Sequence, residues 1–300
     1  MNTPGSPLLA TVGRSQTLAV SVVLLLIIAI WYIAAIFLNT AFQEELYKRA
    51  NRVEVSTEEF VTATLSQERP VLPSPHQVLE EIWKTTALKK VTSKRSLVYH
   101  SWITLSTTLV GFVIGTLLGI VLAVLIVHSR VLDKSLMPWI ITSQTIPILA
   151  IAPMIIVVLN AVGISGLLPK AFISTYLSFF PVAVGMTKGL RSPDAINMDL
   201  MKTFSAGNWQ VFWKLRLPSS LPYLFTSMKI AIAIALVGAI VGELPTGAVS
   251  GLGARLLSGS YYGQTVQIWS ALLTAAFLAA ALVAIVDILN QVTLKRMGLS

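Results

Sequence analysis

The 300-residue sequence has no cysteine, and only 12% of its residues are charged. The first absence excludes disulfides, thiolate nucleophiles and cysteine-bound zinc. The second is about half the charged share of a soluble domain. With 55% hydrophobic residues and long apolar runs, it points to a membrane protein. Histidine is scarce too. His76, His100 and His128 have no histidine or cysteine partner three or four positions away, so no metal site is expected. No G-x-x-x-x-G-K-[ST] loop occurs, so no P-loop nucleotide site is assigned to the chain. Neither paired acids nor a Ser–Lys or Ser–His pair stands out at membrane depth, so no catalytic residue is assigned. The formal net charge of +9 would suggest nucleic acid in a soluble chain. Here the basic residues lie between apolar segments and are read as setting membrane orientation, with no nucleic-acid partner.

A helix needs about 20 apolar residues to cross the hydrocarbon layer. Runs of that kind cover residues 18–38, 101–127, 135–159, 167–187, 221–242 and 265–289. An all-α membrane protein of six transmembrane helices follows. The first run is too long for a signal h-region and lacks a small-residue cleavage context, so it reads as a retained anchor. Arg14, Arg130, Lys134, Lys188, Arg191, Lys202, Lys214, Arg216, Lys229, Lys295 and Arg296 share one side with both termini, whereas short loops opposite hold only Lys170 and Arg255. That side is expected to be cytoplasmic. The organisation is then a cytoplasmic tail (1–17), an anchor helix (18–38), an external loop (39–100), a core of five spans (101–294) with a cytoplasmic loop at 188–220, and a short tail (295–300).

The external loop carries Pro70, Pro73 and Pro75, which demand extended backbone before them. Ser74-Pro75 reads as an N-cap and first helical position, opening an amphipathic helix over 76–90 with Val78, Ile82, Trp83 and Leu88 on its apolar side. Gly111, Gly115 and Gly119 repeat every four residues and permit close helix approach, as do Ala275, Ala276, Ala279 and Ala280. Pro138, Pro147 and Pro153 break the third run, which places it in the bundle interior. Its polar residues Ser143, Gln144 and Thr145 either line a pathway or bond between helices. Glu243, at the outer end of the fifth run, is either solvated or lines an outer mouth. Lys229 is expected to snorkel to the inner interface, and Asp287 to do the same or pair with a basic neighbour.

The loop at 188–220 is too short for a domain, yet it is strongly patterned. Ser192-Pro193-Asp194 starts a helix, Ile196, Leu200 and Phe204 follow at spacing four, and Gly207 offers a turn with positive φ. A second short helix, 209–215, presents Trp209, Phe212 and Trp213 until Leu217-Pro218 stops it and starts the next span. Such aromatics need either a partner surface or the inner membrane interface.

Asp199-Leu200-Met201-Lys202-Thr203-Phe204-Ser205-Ala206-Gly207 followed by Leu215-Arg216-Leu217-Pro218 resembles the EAA loop of ABC importer permeases. Asp199 stands for the Glu of that motif, Ser205 for its Gly, Leu215 for its Ile and Leu217-Pro218 for its Leu-Pro. Leu200 and Met201 replace its two alanines. Leu72-Pro73-Ser74-Pro75, the glycine-rich second run, Thr145-Ile146-Pro147 and Gly251-Leu252-Gly253 are similar to the nitrate, sulfonate and taurine branch of those permeases. The resemblance covers about residues 70–290. It implies a type I importer fold in a bacterial inner membrane and a second permease copy, by default identical. It also implies two ATPase subunits carrying ATP and Mg, an external solute-binding protein and no cofactor on this chain. Asp199, Phe204, Ser205, Ala206, Gly207, Leu215, Leu217 and Pro218 would meet the ATPase, and Ser143, Gln144, Thr145 and Glu243 would line the pathway. The solute would be small and polar or anionic: nitrate, a sulfonate, taurine or a pyrimidine-like compound. The rival class is an ATP-independent secondary transporter, which would show inverted repeats and charged midplane residues. The sequence shows little of either.

Overall fold

The computed structural model describes residues 16–52, 55–244 and 250–298, and every described element is helical. Arg14, most of the expected N-terminal tail and the Pro245-Thr246-Gly247 stretch lie outside these residues. Among the described residues, five helices are long and apolar enough to span a membrane, and a sixth span arises if one bent pair counts as a single crossing. The chain divides into two compact units, Met1–Leu88 with Ser258–Ser270 and Lys89–Leu257 with Ala271–Ser300.

In the first unit, α1 (Gln16–Arg49) continues the first apolar run through the charged segment beyond it in one helix. Over residues 18–30 its apolar part is exposed on all sides, with Leu25 66% and Ile30 64% accessible, as expected of a helix that meets lipid, while Ala35 further on is buried. Helices α2 (Thr57–Leu65) and α3 (Pro75–Thr86) follow. Ser74 stands at the N-cap of α3 as expected, its N–H and its hydroxyl both donating to Gln77 Oε1 (3.1 Å each). The helix stops at Thr86, short of Lys90. Val78 is buried, but Trp83 and Leu88 are exposed. The extended proline segment is held by Asn39, which is buried at the end of the apolar run of α1. Its amide oxygen accepts from the backbone of Val71 (2.7 Å) and Leu72 (3.1 Å), and its nitrogen donates to the Leu72 carbonyl (2.8 Å). Trp31 Nε1 donates to the Pro73 carbonyl and Thr265 Oγ1 to the Pro70 carbonyl. A proline segment offers few N–H groups of its own, so side chains satisfy its carbonyls.

In the second unit, α4 (Leu97–His128), α7 (Leu167–Leu190) and α10 (Leu217–Glu243) pack as a three-helix core. The glycines of α4 make this possible. A Cβ at Gly111 would stand 2.8 Å from the Ala171 carbonyl oxygen, and one at Gly119 would stand 2.8 Å from that of Phe179. With lipid outside, such close backbone contact takes the role that hydrophobic burial has in water. Phe112, Val182, Ile232, Leu282 and Val286 fill the space, the last two from α12 (Thr265–Arg296). Of the four small residues expected to pack on α12, Ala275 is buried while Ala276 and Ala280 are exposed. Lys229 forms an ion pair with Asp287, the pairing with a basic neighbour expected of Asp287, which neutralises two charges between α10 and α12.

The third run is broken. Helices α5 (Arg130–Ser143) and α6 (Ile148–Ala161) meet at 100° around Thr145-Ile146-Pro147. Between α7 and α10 lie α8 (Ala195–Thr203), the single turn α9 (Asn208–Val211) and a π-helical turn, Phe212–Arg216. Helix α11 (Leu252–Tyr261) follows α10.

Candidate functional site

The segment from Arg191 to Pro218 exposes several large apolar side chains outside the long helices of the second unit. Asp194, not Ser192, occupies the N-cap of α8. Ser192 instead donates to the Gly189 carbonyl (2.7 Å), closing α7. Helix α8 buries nothing: Ile196, Leu200 and Phe204 are 81%, 53% and 76% accessible. Asp199 pairs at 2.8 Å with Lys202 on the same exposed face.

Ser205 ends α8 in the left-handed region, with φ 52°. Its N–H donates to the Lys202 carbonyl (2.8 Å) and that of Ala206 to the Met201 carbonyl (3.0 Å). These two bonds are those of a Schellman C-cap, whose left-handed position favours glycine. Gly207, expected to take positive φ, has φ −70° and extended backbone. The serine therefore stands where the related motif has its glycine, and the backbone there has the glycine's conformation. Ala206 is half-buried and Gly207 exposed, with nothing within 4 Å of the place its Cβ would occupy.

Leu217-Pro218 was expected to stop the second short helix. Instead the helix runs on, and Asn208–Glu243 is one continuous rod. Pro218 lacks an N–H, and its ring would crowd the carbonyl four residues back. The π turn accommodates it: the Leu217 N–H reaches back five residues to the Phe212 carbonyl. Phe212 is buried with Ala123, Met186 and Leu190 and lies edge-on to His128, with ring centroids 5.3 Å apart. Trp209 and Trp213 remain 72% and 49% exposed around it. Leu215, Leu217 and Pro218 are half-buried. Arg191 and Asp133 pair at 2.9 Å, joining the end of α7 to the start of α5.

The proposed pathway residues fall into two places. At the α5–α6 bend, the hydroxyls of Ser143 and Thr145 donate to carbonyls of their own helix (Ile140, 2.7 Å; Thr142, 2.8 Å). Tyr176 of α7 donates to the Ser143 carbonyl and pins the bend. Gln144 faces a cavity of about 680 Å³ whose other walls are α7 and α10. Glu243 does not line that cavity and is not solvated, for its side chain is fully buried. Its carboxylate accepts from Thr104 Oγ1 (2.9 and 3.0 Å) and from the Gly253 N–H (2.8 Å). Thr104 Oγ1 accepts in turn from the Leu252 N–H (2.9 Å). His100 completes the group. Its Nδ1 accepts from the Gly251 N–H (2.9 Å), so the proton sits on Nε2 and is donated to the Lys94 carbonyl (3.0 Å).

Gly251-Leu252-Gly253 is thus wrapped around one carboxylate. Gly251 has φ 117°, and a Cβ there would run into the Glu243 carboxyl group. Leu252 is fully buried. Sequence reading missed His100, Thr104, Tyr176 and Lys188 as members of these sites. The one available signal was the i, i+4 spacing of His100 and Thr104 at the end of an apolar run.

Residues 115–299 match the family described as binding-protein-dependent transport system inner membrane component. A probable ABC transporter permease protein of Haemophilus influenzae is 30% identical over 217 residues, covering 72% of this chain and 83% of the relative. The formylaminopyrimidine transport permease protein ThiX of Halalkalibacterium halodurans is 31% identical over 194 residues, covering 64% of this chain and 72% of the relative. A chain of the MetNI methionine ABC transporter, solved in inward-facing conformations, superposes with a TM-score of 0.57 at 21% identity, covering 65% of this chain and 95% of that one.

Proposed function

The chain belongs to the family of binding-protein-dependent transport system inner membrane components, and from that premise we propose that residues 191–218 are the surface on which a separate ATPase drives it. It is a multi-pass permease subunit of an ABC importer, a translocation component and not an enzyme. The supporting observation is the exposed apolar face of Ile196, Leu200, Phe204 and Trp209, set on a loop whose backbone is firmly fixed. In a soluble environment such a face calls for a partner.

Phe204, Ser205, Ala206 and Gly207 form the contact point, where the small residues let the ATPase approach closely. Asp199 meets a basic group of the ATPase. Leu215, Leu217 and Pro218 carry the load, because the helix that begins at Asn208 continues unbroken to Glu243. Motion of the docked loop therefore enters α10 directly. ATP and Mg are bound by two ATPase subunits. Two copies of this chain enclose the pathway, an external binding protein delivers the solute, and both termini face the cytoplasm. The ATPases gain control by binding inward- and outward-facing states with different affinity. The solute belongs to the small polar or anionic class, with nitrate, sulfonates, taurine and pyrimidine-like compounds as members, in line with the substrates in its relatives' names.

Copurification tests the docking assignment. Gly207→Asp has φ and space for an aspartate, so the variant should insert and fold normally yet lose the ATPase. Ala206→Glu should do the same. Retention of the ATPase at wild-type levels by both would refute the assignment.

A further inference from the structure

The cavity at the α5–α6 bend has a composition of its own. Its volume of about 680 Å³ exceeds what a single inorganic ion needs and suits a small organic molecule. The walls are mostly apolar and include Phe180 and Tyr223. They also carry Gln144, Thr226 and one charged side chain, Lys188, in the last turn of α7. Lys188 is exposed, and among the described residues it forms no ion pair. No acid lines the cavity. Pro181 and Pro222, the helix-interior prolines of α7 and α10, both face it. Each removes one helical hydrogen bond and frees the carbonyl one turn earlier, that of Leu177 or Pro218. Thr226 Oγ1 donates to the Pro222 carbonyl (2.8 Å). A lipid-facing groove would have no use for an amide, a hydroxyl and a lysine.

We propose that this cavity is a solute-binding station for organic anions, with Lys188 as the counter-charge for a sulfonate or carboxylate and Phe180 and Tyr223 against the apolar body. This rests on the permease reading and narrows its solute class. A cation would find no negative group in the cavity. A bare inorganic anion would leave the aromatic wall unused. An anionic phospholipid shares the chemistry, with its head at Lys188 and a chain in the groove. The polar wall favours a water-borne solute.

The absence of native cysteine makes the test direct, since a single Thr226→Cys thiol reports on the cavity alone. The purified chain in phosphatidylcholine nanodiscs is labelled with anionic methanethiosulfonate ethylsulfonate or its cationic trimethylammonium counterpart. Rates are normalised to a cysteine at the exposed Ile196. The anionic reagent should be favoured by about threefold or more, the scale of one nearby charge in partly screened surroundings. Lys188→Gln should abolish the preference and Lys188→Glu should invert it. Naphthalenesulfonate should slow labelling, and benzyltrimethylammonium should not. A ratio that ignores the residue at 188, or a thiol that no reagent reaches, overturns the proposal. So does protection by added phosphatidylglycerol without protection by naphthalenesulfonate, which would make the occupant a lipid. ATPase copurification with the wild-type chain is read separately, so loss of the station and loss of the permease assignment give different results.

Discussion

The two ends of the rod Asn208–Glu243 solve opposite problems. At one end the polar group Glu243 is buried and fully satisfied by Thr104 and Gly253. At the other, the apolar groups Trp209 and Phe204 are left exposed. A buried polar group with every partner present is packing: it fixes a loop and has no need of another molecule. An exposed apolar face on a rigid loop is unfinished packing and is completed by a partner. Sequence reading treated Glu243 as a mouth residue because acids at membrane edges often meet water. The contrast between the two ends assigns Glu243 to holding the Gly251-Leu252-Gly253 turn.

The contrast can be broken first at the buried end. Glu243→Ala strips the acceptor from the Thr104 hydroxyl and the Gly253 amide, two buried donors. Unfolding in detergent should show a loss of about 3 kcal/mol, and Glu243→Gln, which keeps one acceptor oxygen, less than half of it. Equal stability of all three chains would mean that the group is not a structural lock. At the exposed end, Phe204→Asp should change stability by under about 0.5 kcal/mol. It should still weaken ATPase capture about tenfold or more, a cost of roughly 1.4 kcal/mol in docking. Ser205→Gly should stabilise the chain by about 0.5–1 kcal/mol, because glycine occupies the left-handed C-cap without the penalty a side chain brings. Ser205→Val should reverse the sign, and a stability unaffected by either would contradict the C-cap geometry. Smallest is Asp199→Asn. Its ion pair with Lys202 is exposed, so stability should move by about 0.3 kcal/mol or less, while a basic partner on the ATPase would make itself felt in capture.

How much of this was legible in the sequence depends on the range of the interaction. The spans were, because a charge-free run of about 20 residues has few options in or out of lipid. The glycine stripe of α4 was, because a four-residue repeat lies on one helix face. The register of the 199–218 loop was also readable, down to the position of its one special residue. The conformation of that residue was not. Composition favours Gly207 for positive φ, yet the position is fixed by where α8 ends, through carbonyls of Met201 and Lys202. The continuation through Pro218 was hidden for a similar reason, since a π turn removes the conflict that makes proline a stop signal. The Glu243 lock was out of reach, as its partner Thr104 lies 139 positions away.

A single cysteine at position 204 in the otherwise cysteine-free chain, expressed in cells with its ATPase, gives the decisive reading. A bifunctional crosslinker should join residue 204 to the ATPase, and a membrane-impermeant thiol reagent applied outside intact cells should leave it unlabelled. Labelling from outside with no ATPase adduct would place the loop on the wrong side of the membrane and remove the basis for ATP-driven transport.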